Sequence, residues 1–334
     1  MVKSRKFGVT IALVCLVSAF ISGVYVWKSK GIPFVARRAP WSIGIYVGES
    51  PFAFSAENVQ NPVLTAEDVK DVRADFVADP FMVYENQHWY MFFEVLNAQT
   101  GQGDIGLASS KDGFRWTYRQ IVLDEPFHLS YPYVFKWKGE YYMIPESYRA
   151  KSIRLYKAIN FPTKWLLVKT LLEGANYKDS SIFRFNNIWW LFTSTRNDNL
   201  KLCYANKLEG PWIEHPNNPI IDGDANIARS AGRVLVLGDQ IIRYAQDDDP
   251  YYGNQVRAFH VTRLTVTNYE EEEVDESPIL IPNGSVWDIG MHHIDPHQIG
   301  KKKWIACVDG KSKDLIFYFL NRRKNQNGRK TKGL

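Results

Sequence analysis

The sequence predicts an all-β protein, a five-bladed β-propeller preceded by an N-terminal transmembrane helix. Three observations carry that expectation. Aromatic residues reach 14% of the chain, and aromatics favour strands. A strand-turn-strand phrase recurs five times at a period near 50 residues, the signature of four-stranded propeller blades. One long stretch near the N-terminus carries no charge at all.

That stretch is the first element. Phe7–Trp27 is free of charged residues, and its 21 residues would span about 30 Å as a helix, the thickness of a hydrocarbon core. The apolar region of a cleaved signal peptide is shorter, about 7–15 residues. Residues 1–28 therefore read as an uncleaved single-pass anchor and 29–40 as a linker. Basic residues flank the segment on both sides, and the propeller is expected on the extracytoplasmic or luminal side.

The propeller itself is expected over 41–320. Its blades open at Asp79, Tyr131, Asp179, Ser230 and Asp295, in Asp79-Pro-Phe-Met-Val-Tyr, Tyr131-Pro-Tyr-Val-Phe-Lys and their counterparts. Each opening strand runs into a polar turn, such as Glu85-Asn86-Gln87, Lys138-Gly139-Glu140 or Asn186-Asn187, and a second apolar strand follows. The last repeat, 295–320, has a hairpin plus Leu315–Leu320 and lacks a fourth strand, which Trp41–Val47 can supply to close the ring. Residues 48–78 then read as a linker into blade one. The acidic run Glu270–Glu273 reads as a solvated insertion, and 321–334 as a basic flexible tail.

Charge narrows the function classes. Residues 1–40 and 321–334 hold thirteen basic residues and no acid; without them, 28 basic residues face 36 acidic ones. A nucleic-acid-binding body is excluded by that balance. Cys15 lies in the membrane segment, and Cys203 and Cys307 sit in apolar runs, without the spacing of a metal site.

Opening strands line the central channel of a propeller, so Asp79, Tyr131, Asp179, Ser230 and Asp295 should converge, with His292 and His293 beside the last. Glu94 and Glu146 each stand fifteen residues after an anchor and end apolar strands. A buried carboxylate there needs a partner, and Arg184, Arg196, Arg229 and Arg233 are available. Carboxyls facing one another among aromatics are the equipment of glycoside chemistry, in which one donates a proton and another activates water or attacks. Asp79, Glu146 and Asp179 are the candidate catalytic set, with Asp79 as the ionised member. Glu94, Tyr131, Arg196, Arg229, Asp247, His293 and Asp295 are candidate substrate contacts.

These repeat phases resemble the five-bladed propeller glycosidases of the β-xylosidase and arabinanase type, whose Asp-Pro base is matched by Asp79-Pro80. Tyr131 stands where that resemblance implies a modulating Asp, and Asp179 where it implies an acid Glu. Longer strings, Ala78-Asp-Pro-Phe, Trp89-Tyr-Met-Phe-Phe-Glu94, Ser130-Tyr-Pro-Tyr-Val-Phe, Tyr142-Met-Ile-Pro-Glu146-Ser and Ala245-Gln-Asp247, are similar to the N-terminal propeller domain of glucosamine inositolphosphorylceramide transferases and bacterial relatives. That resemblance implies Asp79, Glu94, Glu146 and Asp247 as pocket residues in a protein of glycan or glycolipid work, beside a separate glycosyltransferase. The expected function is hydrolysis or transfer on a glycan or glycolipid; the alternative is a non-catalytic glycan-binding module. No cofactor or metal is expected, with a central ion beside His293, implied by the glycosidase likeness, as the alternative.

Overall fold

The computed structural model describes residues 35–57, 59–284 and 286–317. The expected anchor over Phe7–Trp27 and the tail over 321–334 lie outside the described residues. Among the described residues, no helix is long and apolar enough to cross a membrane. The chain divides into two compact units. In one, Val35–Arg38 pairs antiparallel with Asp314–Phe317. The other, Pro40–Ser312, is a five-bladed propeller.

Blade one is built in order from Ala74–Glu85, His88–Asn97, Gln102–Ser110 and Thr117–Leu123, and blade two from Ser130–Trp137, Glu140–Glu146, Ser152–Asn160 and Lys164–Glu173. Blade three runs Lys178–Phe185, Ile188–Ser194, Asn199–Ala205 and Ile213–Glu214. Blade four runs Arg229–Ser230 with Leu235–Leu237, then Gln240–Asp247, Gln255–Leu264 and Tyr269–Glu273. The hairpin turns adopt the chemistry their residues favour. Asn86 and Gln87, Lys138 and Gly139, and Asn186 and Asn187 all have positive φ, the conformation that matches the twist of paired strands.

Blade five is assembled from both ends of the propeller. Ile294–Gly300 and Lys303–Lys311 come from one end, Trp41–Ser50 and Ala53–Ser55 from the other. The expected closing strand is therefore the third of its blade, and residues 53–55, expected in a linker, form the fourth. Leu315–Phe317 takes no place in the blade, because Trp41–Ser50 already occupies the free edge of Lys303–Lys311 from Trp41↔Lys311 to Gly48↔Trp304. The acidic run is a second correction. Tyr269–Glu273 is the outer strand of blade four, and strand alternation turns Glu271 inward onto fully buried Arg243, with contacts of 2.7 and 2.6 Å.

Aromatic rings fill the spaces between blades. Phe161 of blade two stacks on Tyr141 at 3.8 Å and meets Tyr90 of blade one edge-on at 5.2 Å. Residues from all five blades meet along the axis. Arg233 donates to Asp295 of blade five and to the carbonyls of Val134 and Met82. Its guanidinium lies against Phe81 and Tyr133, and the Tyr131 hydroxyl bonds Ser181 of blade three and Gly232. The channel is a filled core.

The closure has a measurable energetic signature. Ile45 is fully buried in the closing strand, so Ile45→Ala should cost about 2–5 kcal/mol in denaturant unfolding. Leu166, 55% exposed on the outer strand of blade two, should lose no more than about 0.5 kcal/mol as Ala. Equal small effects would break the two-ended closure.

Candidate functional site

Three of the opening residues have a backbone that ordinary residues avoid. Asp79, Tyr131 and Asp179 have φ of 54°, 44° and 44°, each at a register shift between the first and second strands of its blade. Left-handed backbone at a non-glycine residue costs about 1–3 kcal/mol, and it turns the residue's N–H out of the ladder at a bulge. Each freed N–H finds a carboxylate. Asp79 N donates to Asp309 Oδ2 at 2.9 Å, Tyr131 N to Asp79 Oδ2 at 3.2 Å, and Asp179 N to Glu146 Oε2 at 3.0 Å.

At one end of the axis these groups surround a cavity of about 190 Å³, lined by Asp79, Glu94 and Glu146 with His128, Arg229, His292, Trp41 and Tyr252. Trp41 stacks on His292 at 3.8 Å. Arg229 lies over the Tyr252 ring at 5.0 Å, ion-pairs with Asp179 and stands 3.9 Å from Glu146. Gly103 N donates to His128 Nδ1 at 2.9 Å, which leaves the proton on Nε2, 3.3 Å from Glu94 Oε1. A larger groove of about 530 Å³ runs past Val63, Asp112, Phe114 and Trp116 outside blade one; its Asp112 is tied to Arg115, and it gathers no facing carboxyls.

The carboxyls titrate apart. Burial pushes Asp79 well above its ordinary range; His292 opposes the rise, and the charges of Asp309, Glu94 and Asp179 add to it. Burial, then the charge of Asp179, pushes Glu146 up as well. Burial also works against ionised Asp179, but Arg229 and a hydrogen bond from Glu146 outweigh it and hold Asp179 low. Glu146 and Asp179 thus share one proton, kept on Glu146. Asp79, expected as the ionised member, is pushed by burial toward its protonated form. Its nearest cation, His292, is 3.7 Å away and engaged at 2.7 Å with Asp309.

The remaining expected site residues lie elsewhere. The Tyr131 ring points into the axis against Phe81 and His293. His293 is fully buried, without a hydrogen-bond partner for either ring nitrogen, and burial holds it down to about 4. Asp295 receives Met82 N at 2.6 Å and His297 at 2.9 Å beneath the cavity. Asp247 is tied to Arg257 and Gln255, and Arg196 sits exposed between Asp198 and Asp222. Sequence reasoning missed Trp41, His128, Tyr252 and Asp309 as members. Asp309 lies two residues before the end of Lys303–Lys311 and fourteen after Asp295, one position off the register of Glu94 and Glu146. Asp79, His292 and Asp309 bring donor atoms within 4.8 Å of one another. Both Asp309 oxygens are already engaged, by Asp79 N and by His292.

The raised carboxyls set a pH signature. An unfolded Asp79 ionises near its ordinary 3.8 and the folded one well above it, so in between the folded state holds the extra proton and stability falls as pH rises. Asp79→Asn removes that loss. Its gain in melting temperature over the parent should grow as pH is raised from about 4 toward 8. A gain that is constant, or largest in acid, would contradict the assignment.

A family model described as glucosamine inositolphosphorylceramide transferase 1, N-terminal, matches residues 36–311. The transferase of that name from Oryza sativa subsp. japonica is 36% identical over 330 residues, covering 88% of this chain and 44% of the relative. The Arabidopsis thaliana protein is 36% identical over 296 residues, covering 81% and 39%. The chain thus spans less than half the length of the curated relatives it matches. Among solved structures, the catalytic domain of a Coprinopsis cinerea GH62 α-L-arabinofuranosidase superposes with a TM-score of 0.56 at 12% identity, over 81% of this chain and 96% of that one. The β-1,2-mannobiose phosphorylase of Listeria innocua gives 0.58 at 14%, over 80% and 96%. At such identities the structural likeness carries the propeller fold alone, whereas the family match rests on sequence over most of the propeller. The chain belongs to the family defined by the N-terminal domain of glucosamine inositolphosphorylceramide transferase 1.

Proposed function

We propose that this propeller acts on a glycan or glycolipid at the 190 Å³ cavity, by glycosyl hydrolysis or transfer. The observation that carries the reading is the Glu146–Asp179 pair. A buried carboxyl that keeps its proton, faces a cavity and leans on a carboxylate held by Arg229 has the character of a general acid. In this reading Glu146 protonates the leaving oxygen and Asp179 positions it. Glu94, oriented by His128, is the facing carboxylate, and Asp79 hydrogen-bonds a sugar hydroxyl. The cavity lies below the roughly 300–1,000 Å³ of sites that enclose drug-sized ligands, so it suits one sugar ring. The relatives' name, glucosamine inositolphosphorylceramide transferase, supports a sugar or sugar-bearing lipid as ligand.

A second reading, a glycan-binding module without turnover, has its own support. Asp79, Glu146 and Asp309 each accept a bulge N–H, a structural task that needs no chemistry. Glu146→Gln separates the two. If the carboxyl is the acid, turnover of a glycan or glycolipid that the parent processes should fall about 10²–10⁴-fold with sugar affinity kept. Unchanged turnover would remove the acid role, and a parent that binds a glycan without ever converting it would leave the binding module.

The membrane assignment is part of the proposal and rests on the uncharged stretch Phe7–Trp27, with the propeller on the extracytoplasmic or luminal side. The full chain should stay with membranes through an alkaline carbonate wash. Release into the supernatant would overturn the anchor.

A further inference from the structure

The outer hairpin of blade two departs from the rest of the propeller in two independent ways. From Ser147 to Leu172 the sequence has six basic residues, Arg149, Lys151, Arg154, Lys157, Lys164 and Lys169, and no acid. This stretch sits within a body where acids outnumber bases. Lys164 and Lys169 are exposed and have no carboxylate partner among the described residues; Lys157 reaches Glu140 of the neighbouring strand at 3.4 Å.

The second departure is apolar exposure. Exposed aliphatic residues elsewhere among the described residues stand singly, as Ile213 and Ile299 do, and such residues need no explanation; the other adjacent exposed pair, Tyr251 and Tyr252, is aromatic, and Tyr252 lines the cavity. Here four gather on one hairpin: Ile159 is 63% exposed, Leu166 55%, Leu167 38% and Val168 43%. Three of them are consecutive, so both faces of this edge strand present aliphatic side chains to solvent. Register shifts on either side of Val168 and Leu171 bend the strand, which disfavours adding another strand to it. An apolar tip ringed by lysines is instead the composition of a surface that enters the boundary between lipid headgroups and acyl chains.

We propose that the hairpin Ser152–Asn160 and Lys164–Glu173 docks on an anionic lipid bilayer, with Ile159, Leu166, Leu167 and Val168 dipping below the headgroups and the lysines on the lipid phosphates. An acidic protein or a nucleic acid would match the lysines but leave the aliphatic tip in water. The proposal goes beyond the glycan reading and does not depend on it. It gives the propeller a fixed face toward the membrane that Phe7–Trp27 is read to enter.

The test uses the full chain in lipid nanodiscs, with an environment-sensitive fluorophore on Leu167→Cys and, as control, on Ile213→Cys of the blade-three outer strand. Cys15 is first replaced by Ser, and the native Cys203 and Cys307 are buried and stay unlabelled in the folded protein. Discs of phosphatidylcholine alone are compared with discs containing phosphatidylglycerol, each carrying a lipid-borne quencher. The 167 label should be quenched at least about twofold more than the 213 label, more strongly with phosphatidylglycerol, and less at high salt. Lys164→Glu with Lys169→Glu should abolish the phosphatidylglycerol effect. A disc-bound chain whose 167 label stays in water overturns the docking alone. A chain recovered free of lipid overturns the docking and the anchor together. Quenching lost on adding a polyanion such as heparin, with the chain still in the disc, would assign the lysines to a soluble acidic partner instead.

Discussion

The ring depends on one repeated interaction: a carboxylate from one strand accepts the backbone N–H that a bulge has turned out of the next. Asp309 holds Asp79 and so ties blade five to blade one. Asp79 holds Tyr131 and ties one to two; Glu146 holds Asp179 and ties two to three. A hydrogen bond contributes about 0.5–1.5 kcal/mol to a neutral acceptor and about 1.5–3 kcal/mol to a charged one such as Asp309, against about 1–3 kcal/mol for the left-handed backbone that each opening residue adopts. The strain and the bond are one device. Without the positive φ, the N–H would face its own ladder and the blade would lose its link.

The same device explains why acids gather at one end of the axis. Every tie brings a carboxyl into low-dielectric surroundings beside the next, and they cannot all be ionised at once. Arg229 and His292 keep Asp179 and Asp309 charged, and the protons fall to Glu146 and Asp79. A proton-donating group at a cavity thus follows from how the blades are joined. Any chemistry there was built on a structural motif, and the neutral Asp79 still accepts the Tyr131 N–H in its protonated form.

Much of this was legible in the residues. The period, the Asn86-Gln87 and Asn186-Asn187 turns, and the anchors at Asp79, Tyr131 and Asp179 mark the hairpins, because turn chemistry and strand alternation are local. What escaped was non-local. Nothing near Trp41 says that it will stack on His292, and nothing near Glu271 says that Arg243 waits beneath it. Tyr131 was expected at the cavity wall, yet its side chain goes to the axis, where its hydroxyl bonds Ser181 and Gly232, and only its backbone faces Asp79. The upward shift of Asp79 comes from burial and then from carboxylates of its own blade and of blades three and five, which no single segment reveals.

Blade five carries a consequence for how the chain comes off the ribosome. Trp41–Ser50 is made early, but its hydrogen-bonding partner Lys303–Lys311 appears some 270 residues later. Synthesis at roughly 5–20 residues per second leaves that strand waiting for tens of seconds. Throughout that interval Ile43 and Ile45, wholly buried in the finished ring, face solvent on an unpaired edge. Blades one to four can form behind it, yet the circle is completed only when the last hairpin emerges. Premature termination anywhere before residue 303 would therefore yield an open arc with a sticky apolar end, and such products are natural clients for chaperones and proteases.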